Sequence, residues 1–324
     1  MRRREFIKLL SSAAAAWPRV AWAQSPGTLR VGMVGAQPRS SPPYAAFLQR
    51  LAELGYQQGS NLAFEFIQAM KPEDYARGNR ELVTRGVGIL MASGPEIALK
   101  SALAATDTLP IVMLAIDYDP IALGYVTSLV RPTPGNVSGI FLRQIELTTK
   151  RLQVVKDVFP DLRAATVFWD WISADQMRAA QSAALALGVQ LFESELREQP
   201  YDYETALAQA PPDYRGWLFV MTSPFFFRDR ARLAEFALRH QAASVFAFRE
   251  WVDAGGLLSY GPSINGMYRR AAEYVDRIAR GAKPSDLPIE QPTKFEFVLN
   301  LKTARAIGIP TPTALLLRAD EVIE

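Results

Sequence analysis

The chain has no cysteine and one histidine among its 324 residues. Disulfides, thiolate metal sites and cysteine nucleophiles are thereby excluded. The lone His240 cannot supply both a catalytic triad and a metal centre. It ends the helix-like run Arg230–His240, where a cation meets the carbonyl end of the helix dipole, and this placement is preferred over a catalytic or ligand role. The first strand candidate is followed by Gly32-Met-Val-Gly35-Ala-Gln-Pro-Arg-Ser-Ser, not by a Gly-x-Gly-x-x-Gly turn, and there is neither a P-loop nor a Gly-x-Ser-x-Gly elbow. Dinucleotide binding, nucleotide hydrolysis and serine-hydrolase chemistry therefore have no motif to stand on. No window approaches the roughly 20 apolar residues of a membrane-spanning helix.

An excess of base is missing too, despite a formal charge of +3. Residues 1–24 hold five basic side chains (Arg2, Arg3, Arg4, Lys8, Arg19) and one acid, Glu5. Taking them from 36 Lys+Arg and 33 Asp+Glu leaves 31 and 32, a net charge of about −1. That removes the electrostatic footprint of a nucleic-acid-binding face. The same 24 residues read as a cleaved secretory leader: a basic start, an apolar stretch Phe6–Ala16, and Ala21-Trp22-Ala23 before Gln24, the expected first mature residue. Arg3-Arg4-Glu5-Phe6-Ile7-Lys8 resembles the twin-arginine export motif, and Arg19 suits that route better than the alternative Sec pathway.

From Leu29 onward, short apolar runs alternate with amphipathic helical stretches. Strands are expected at Leu29–Val34, Leu62–Ile67, Gly88–Ala92 and Ile111–Leu114, and again at Ala165–Trp169, Gln190–Glu195, Gly216–Val220 and Ser244–Phe248. Helices are expected at Tyr44–Leu54, Ile97–Ala105, Leu147–Val158, Ala174–Leu187, Arg228–His240 and Met267–Arg280, with a last strand at Thr293–Asn300. Continuous apolar strands joined by helices imply a parallel sheet covered on both faces. The pattern occurs twice, so the expected fold is α/β with two doubly wound parallel-sheet lobes. Crossings near Asn136–Phe141, Ser259–Pro262 and Gln291–Phe295 would form a three-strand hinge. The expected lobes are residues 28–139 with 262–290, and 140–261 with 291–324.

Such lobes serve many functions, and particular phrases narrow the choice. They are Leu51-Ala-Glu-Leu-Gly-Tyr-Gln-Gln-Gly-Ser-Asn-Leu62, Gly135-Asn-Val-Ser-Gly139, Arg249-Glu-Trp-Val-Asp-Ala-Gly-Gly-Leu-Leu-Ser-Tyr-Gly261, Gly281-Ala-Lys-Pro-Ser-Asp-Leu-Pro288 and the tail from Gln291 to Glu324. In order, and over essentially all of the mature chain, they resemble the ABC-transporter substrate-binding family in its tryptophan/tyrosine-binding version. The resemblance implies a type I periplasmic-binding fold that closes like a Venus flytrap on a small molecule and hands it to a membrane permease.

In open α/β sheets ligands sit beyond the carboxyl ends of the strands. Candidate contacts in lobe one are Ala36 and Gln37, then Ser93, Gly94 and Pro95, then Asp117, Tyr118 and Asp119. Ser93-Gly94-Pro95 precedes a helix and offers free N–H groups to a carboxylate, or serves as a plain cap. Relatives usually carry Gly-Thr-Pro-Ala there, and Glu96 would repel an anion unless it points away or meets a ligand amine. Asp117 and Asp119 suit an ammonium group, with turn and cap work the alternative for Asp119, while Tyr118 is placed to stack on a ligand. Lobe two offers Asp170, Trp171, Thr222, Ser223, Phe225, Phe248 and Arg249. Aromatic rings at strand ends suit a planar or apolar ligand, and Arg249 either grips a carboxylate or pairs with Glu250 or Asp253.

The expected protein is thus a periplasmic, monomeric solute-binding component of an ABC importer, without cofactor or metal, whose cargo is an amino acid or related compound with an aromatic or apolar group. Two alternatives stay open: a binding protein that reports its ligand to a membrane receptor, and a periplasmic enzyme on a flavodoxin-like fold.

Overall fold

The computed structural model describes residues 27–128, 135–211, 216–311 and 313–324. The expected leader lies outside the described residues.

The first lobe opens with β1 (Leu29–Gly35), α1 (Pro42–Glu53), β2 (Leu62–Gln68), α2 (Pro72–Thr84), β3 (Ile89–Gly94), α3 (Glu96–Ala105), β4 (Ile111–Ala115) and β5 (Val137–Phe141). The chain crosses into α4 (Gln144–Val158), β6 (Ala164–Trp169), α5 (Ala174–Leu187), β7 (Gln190–Glu195), α6 (Tyr203–Leu207), β8 (Trp217–Val220), α7 (Pro224–Arg228), α8 (Arg230–Arg239), β9 (Ala243–Phe246), α9 (Arg249–Asp253) and β10 (Leu258–Pro262). It returns through α10 (Ile264–Ala279) and β11 (Ile289–Glu290), then crosses a third time to β12 (Phe295–Asn300), α11 (Leu301–Ile307), α12 (Thr313–Arg318) and β13 (Glu321–Ile323).

Two sheets result. One is ordered β11-β5-β4-β3-β1-β2, the other β13-β12-β10-β9-β8-β6-β7. Every pairing is parallel except β10 with β12. The composition of β4, Ile-Val-Met-Leu-Ala, explains its place: all five residues are buried, as a strand covered by helices on both faces requires. Ladder bonds to β4 continue as far as Phe141, so Ile140 and Phe141 stay in the first sheet, and Pro262 stays in the second beside Phe295.

The close fit of β5 against β4 depends on Gly139, whose φ of +144° favours glycine and where a Cβ would lie 1.9 Å from Met113 O. Helix α10 packs its stripe of Met267, Tyr268, Ala271, Ala272, Val275 and Ile278 inward, with Ser263 Oγ accepting from Gly266 N at 3.1 Å to cap it. A helix absent from the expected set, α2, carries Gly78 in its middle because a Cβ there would sit 2.9 Å from Val34 Cγ2 of β1. Buried side chains of both lobes, from Phe47 and Leu114 to Phe226 and Trp251, form one continuous cluster across the facing surfaces.

Candidate functional site

A cavity of about 460 Å³, counted with the part that opens to solvent, lies between the lobes. Lobe one contributes Ala36 and Gln37 after β1, Ser93 and Gly94 at the end of β3, and Ile116 and Asp117 after β4. Residues in or near the first turns of helices add Pro43 and Tyr44 of α1, Tyr75 of α2, and Ile264 and Tyr268 of α10. Lobe two supplies Thr222, Ser223 and Pro224 after β8, Phe227 of α7, and Phe248 after β9. These are the carboxyl ends of both sheets, facing each other. The lobes touch directly here: Gln37 Nε2 donates to Pro224 O, and a Cβ on Gly94 would be 3.9 Å from Pro224 Cγ.

Asp117 is the charged side chain of this lining. It is 6% exposed, and its Oδ1 has no hydrogen-bond partner. Burial, with the Asp170 charge second, pushes its carboxyl well above the usual carboxylate range. Around it the phenols of Tyr44, Tyr75 and Tyr268 are held neutral, all three pushed up by burial. The Ser93 and Tyr268 hydroxyls bond to each other, and the Tyr44 and Tyr268 rings meet at 5.6 Å.

Of the expected contacts, eight border the cavity: Ala36, Gln37, Ser93, Gly94, Asp117, Thr222, Ser223 and Phe248. Seven do not, each for a visible reason. Tyr118 follows Asp117 and points to the opposite side, packing edge-on against Tyr125 at 6.3 Å in the lobe-one core. Asp119 Oδ1 accepts from Ile121 N at 2.8 Å and Ala122 N at 3.0 Å, a turn cap. Pro95 is the N-cap position of α3. Glu96 turns away, accepting from Tyr125 Oη at 2.5 Å. Trp171 is 49% exposed. Phe225 lies in the core against Tyr201. Arg249 donates from Nη1 and Nη2 to the Glu321 carboxylate at 2.7 and 2.8 Å.

Asp170 is the seventh. Fully buried, it stands behind the cavity wall: Oδ2 accepts from Tyr201 Oη at 3.0 Å and Ser223 Oγ at 2.5 Å, while Oδ1 accepts from Ile172 N and Ser173 N at 3.1 Å. Burial raises its pKa and these bonds oppose the rise. It therefore holds Ser223 from behind the wall. The neighbouring Thr222 backbone is clamped by Gln176, whose Nε2 donates to Thr222 O at 2.8 Å and whose Oε1 accepts from Thr222 N at 2.9 Å. Sequence reasoning missed Tyr44, Tyr75, Tyr268 and Phe227; the usable signal was an aromatic ring in or near the first turn of a helix that follows a strand end. His240 is the C-cap position of α8, its ring tilted on Phe236 at 4.5 Å, outside the cleft.

Two doubly wound lobes around a shared cleft have the architecture of two-lobed periplasmic binding proteins. The chain belongs to the ABC transporter substrate binding protein family, whose model matches residues 41–323. It is 23% identical over 268 residues to a tyrosine-binding protein of Clostridioides difficile (strain R20291), covering 81% of this chain and 75% of that one. A conserved domain protein from Vibrio cholerae has a similar structure (TM-score 0.80, 21% identity, 91% and 99% coverage). So does a Streptococcus pneumonia ABC domain in complex with L-Trp (TM-score 0.76, 20% identity, 92% and 100% coverage). The family is one of solute-binding proteins, not enzymes, and its members work outside the cytoplasm. Among the described residues no helix is long and apolar enough to cross a membrane.

Proposed function

We propose that the chain is the periplasmic solute-binding component of an ABC importer, exported by the twin-arginine route, and that its cargo is an amino acid or related small compound with an apolar or aromatic group. The observation that carries this reading is the cavity itself, whose wall is built from both lobes: Asp117 and the tyrosines on one side, Thr222, Ser223, Phe227 and Phe248 on the other. A solute seated there touches both lobes only when they are together. It thus binds the closed form more tightly than the open one, and that difference alone drives closure. A permease that recognises the closed pair then receives loaded protein only. The moving bodies are the two lobes, hinged where β5, β10 and the β11–β12 link pass between them.

Thermal-shift screening of the leader-free protein against amino acids and related amines and acids tests the reading, since binding to the native state raises the melting temperature. A selective hit should also lower the radius of gyration in solution scattering. A hit whose affinity is untouched by changes at both Asp117 and Phe248 refutes the placement. Loss of export on replacing Arg3 and Arg4 with Lys checks the twin-arginine route.

A further inference from the structure

Two buried side-chain atoms of the lining have no partner, Asp117 Oδ1 and Gln37 Oε1, and both are acceptors. Several side-chain donors of the wall are already engaged. The Gln37 amide donates to Pro224 O, Ser223 Oγ donates to Asp170, and the Ser93, Tyr44 and Tyr268 hydroxyls bond among themselves.

Charge tells the same story. The lining holds one carboxylate and no Lys, Arg or His, with Asp170 buried behind Ser223 as a second negative centre. The basic groups next to the wall are engaged elsewhere: Arg228 Nη2 donates to Gln199 at 2.6 Å, and Arg230 Nη1 donates to Phe227 O at 3.2 Å. The start of α3 offers no anion seat, because Glu96 and Ile97 do not reach the cavity. Five aromatic rings complete the enclosure, and ring faces attract cations.

Resting on the cleft reading above, we propose that the site selects a monocationic amine and does not recognise a carboxylate: an ammonium group donates to Asp117 and Gln37 inside the aromatic enclosure, and the rest of the cargo is apolar. A zwitterionic amino acid would have to bury its carboxylate beside two acids with no cation in the lining to meet it.

The test is calorimetry on the leader-free chain with two triads: phenethylamine, phenylalanine and 3-phenylpropionate, then isoamylamine, leucine and 4-methylpentanoate. The expected result is that the amine binds at least about tenfold more tightly than its amino acid in one triad or both, and that neither deaminated acid binds, as an unpaired buried charge dictates. An amino acid that equals or exceeds its amine overturns the proposal, as does the absence of binding by both amines. Asp117→Asn and Phe248→Leu separate the two readings. If an amino acid binds and both variants weaken it, the cleft assignment stands and the amine selectivity falls. If a ligand binds and neither variant matters, the cleft assignment itself falls.

Discussion

Replacing Asp117 with Asn keeps the side chain's shape and removes its charge, and the cleft geometry predicts two effects of opposite sign. In the ligand-free closed protein the carboxyl is buried, has an unpartnered oxygen and faces Asp170. Its pKa is raised above the unfolded value, so its contribution to closed-state stability is full at acid pH and is lost as pH rises through the raised value. The neutral amide escapes that loss, and the ligand-free variant should melt at a higher temperature than the wild type at pH 7.5. With an amine bound, the comparison reverses. A charge-assisted hydrogen bond contributes about 1.5–3 kcal/mol, which corresponds to a roughly 10- to 140-fold weaker affinity in the variant. Binding also draws the Asp117 proton off, so wild-type affinity should rise with pH until the ligand-free carboxyl is ionised, then level off, while the variant stays flat. Titration calorimetry in two buffers of different ionisation enthalpy counts that proton. Asp170, Tyr75, Tyr118 and Tyr268 are the other titratable groups coupled to Asp117, and the phenols remain neutral throughout. Affinity within twofold of wild type, or a drop in the ligand-free melting temperature, would refute the reasoning.

Four further outcomes follow from the contacts described. Asp170→Asn puts an amide where Tyr201 and Ser223 both donate, and urea unfolding of the ligand-free protein should show a loss of about 2 kcal/mol or more. Gly139→Ala forces β5 away from Met113 O and should cost on the order of 2 kcal/mol or more in the same assay; an unchanged unfolding free energy would contradict the close fit. Burial pushes the Glu250 carboxyl up to about 7 from an ordinary 4.5. Its stabilising contribution is therefore complete below 4.5 and lost as pH passes 7, so Glu250→Gln should gain on the order of 3 kcal/mol at pH 8 and almost nothing near pH 4. Trp171→Ala, at a half-exposed position outside the cavity, should leave ligand affinity within twofold in a direct titration.

How much of this could be read from the chain depends on which physical constraint wrote each residue. The central strands were legible because burial on both faces demands unbroken apolar runs, as in Ile111–Ala115. Helix α2 was not, since its sequence is mostly polar and Gly78 interrupts it, and that glycine answers to Val34 across the packing gap, a tertiary demand with no local signature. Strand ends pointed to the right loops but not to the right atoms within them. Successive residues leaving a strand alternate sides, so Asp117 enters the cleft while Tyr118 enters the core, and no loop-level reading distinguishes them. Asp170 shows the same limit differently. An acid at a strand end reads as a ligand group until its five hydrogen-bond donors are seen. Tyr44, Tyr75 and Tyr268 were hidden for the opposite reason. At helical spacing an aromatic residue satisfies the pattern of a core face, and these three do pack as core, yet each sits in or near the first turn of a helix whose start points at the cleft. The wall of a closed binding site is made of core-like residues because closing it is a packing event, and only the unsatisfied acceptors it leaves behind mark it as a place for something else.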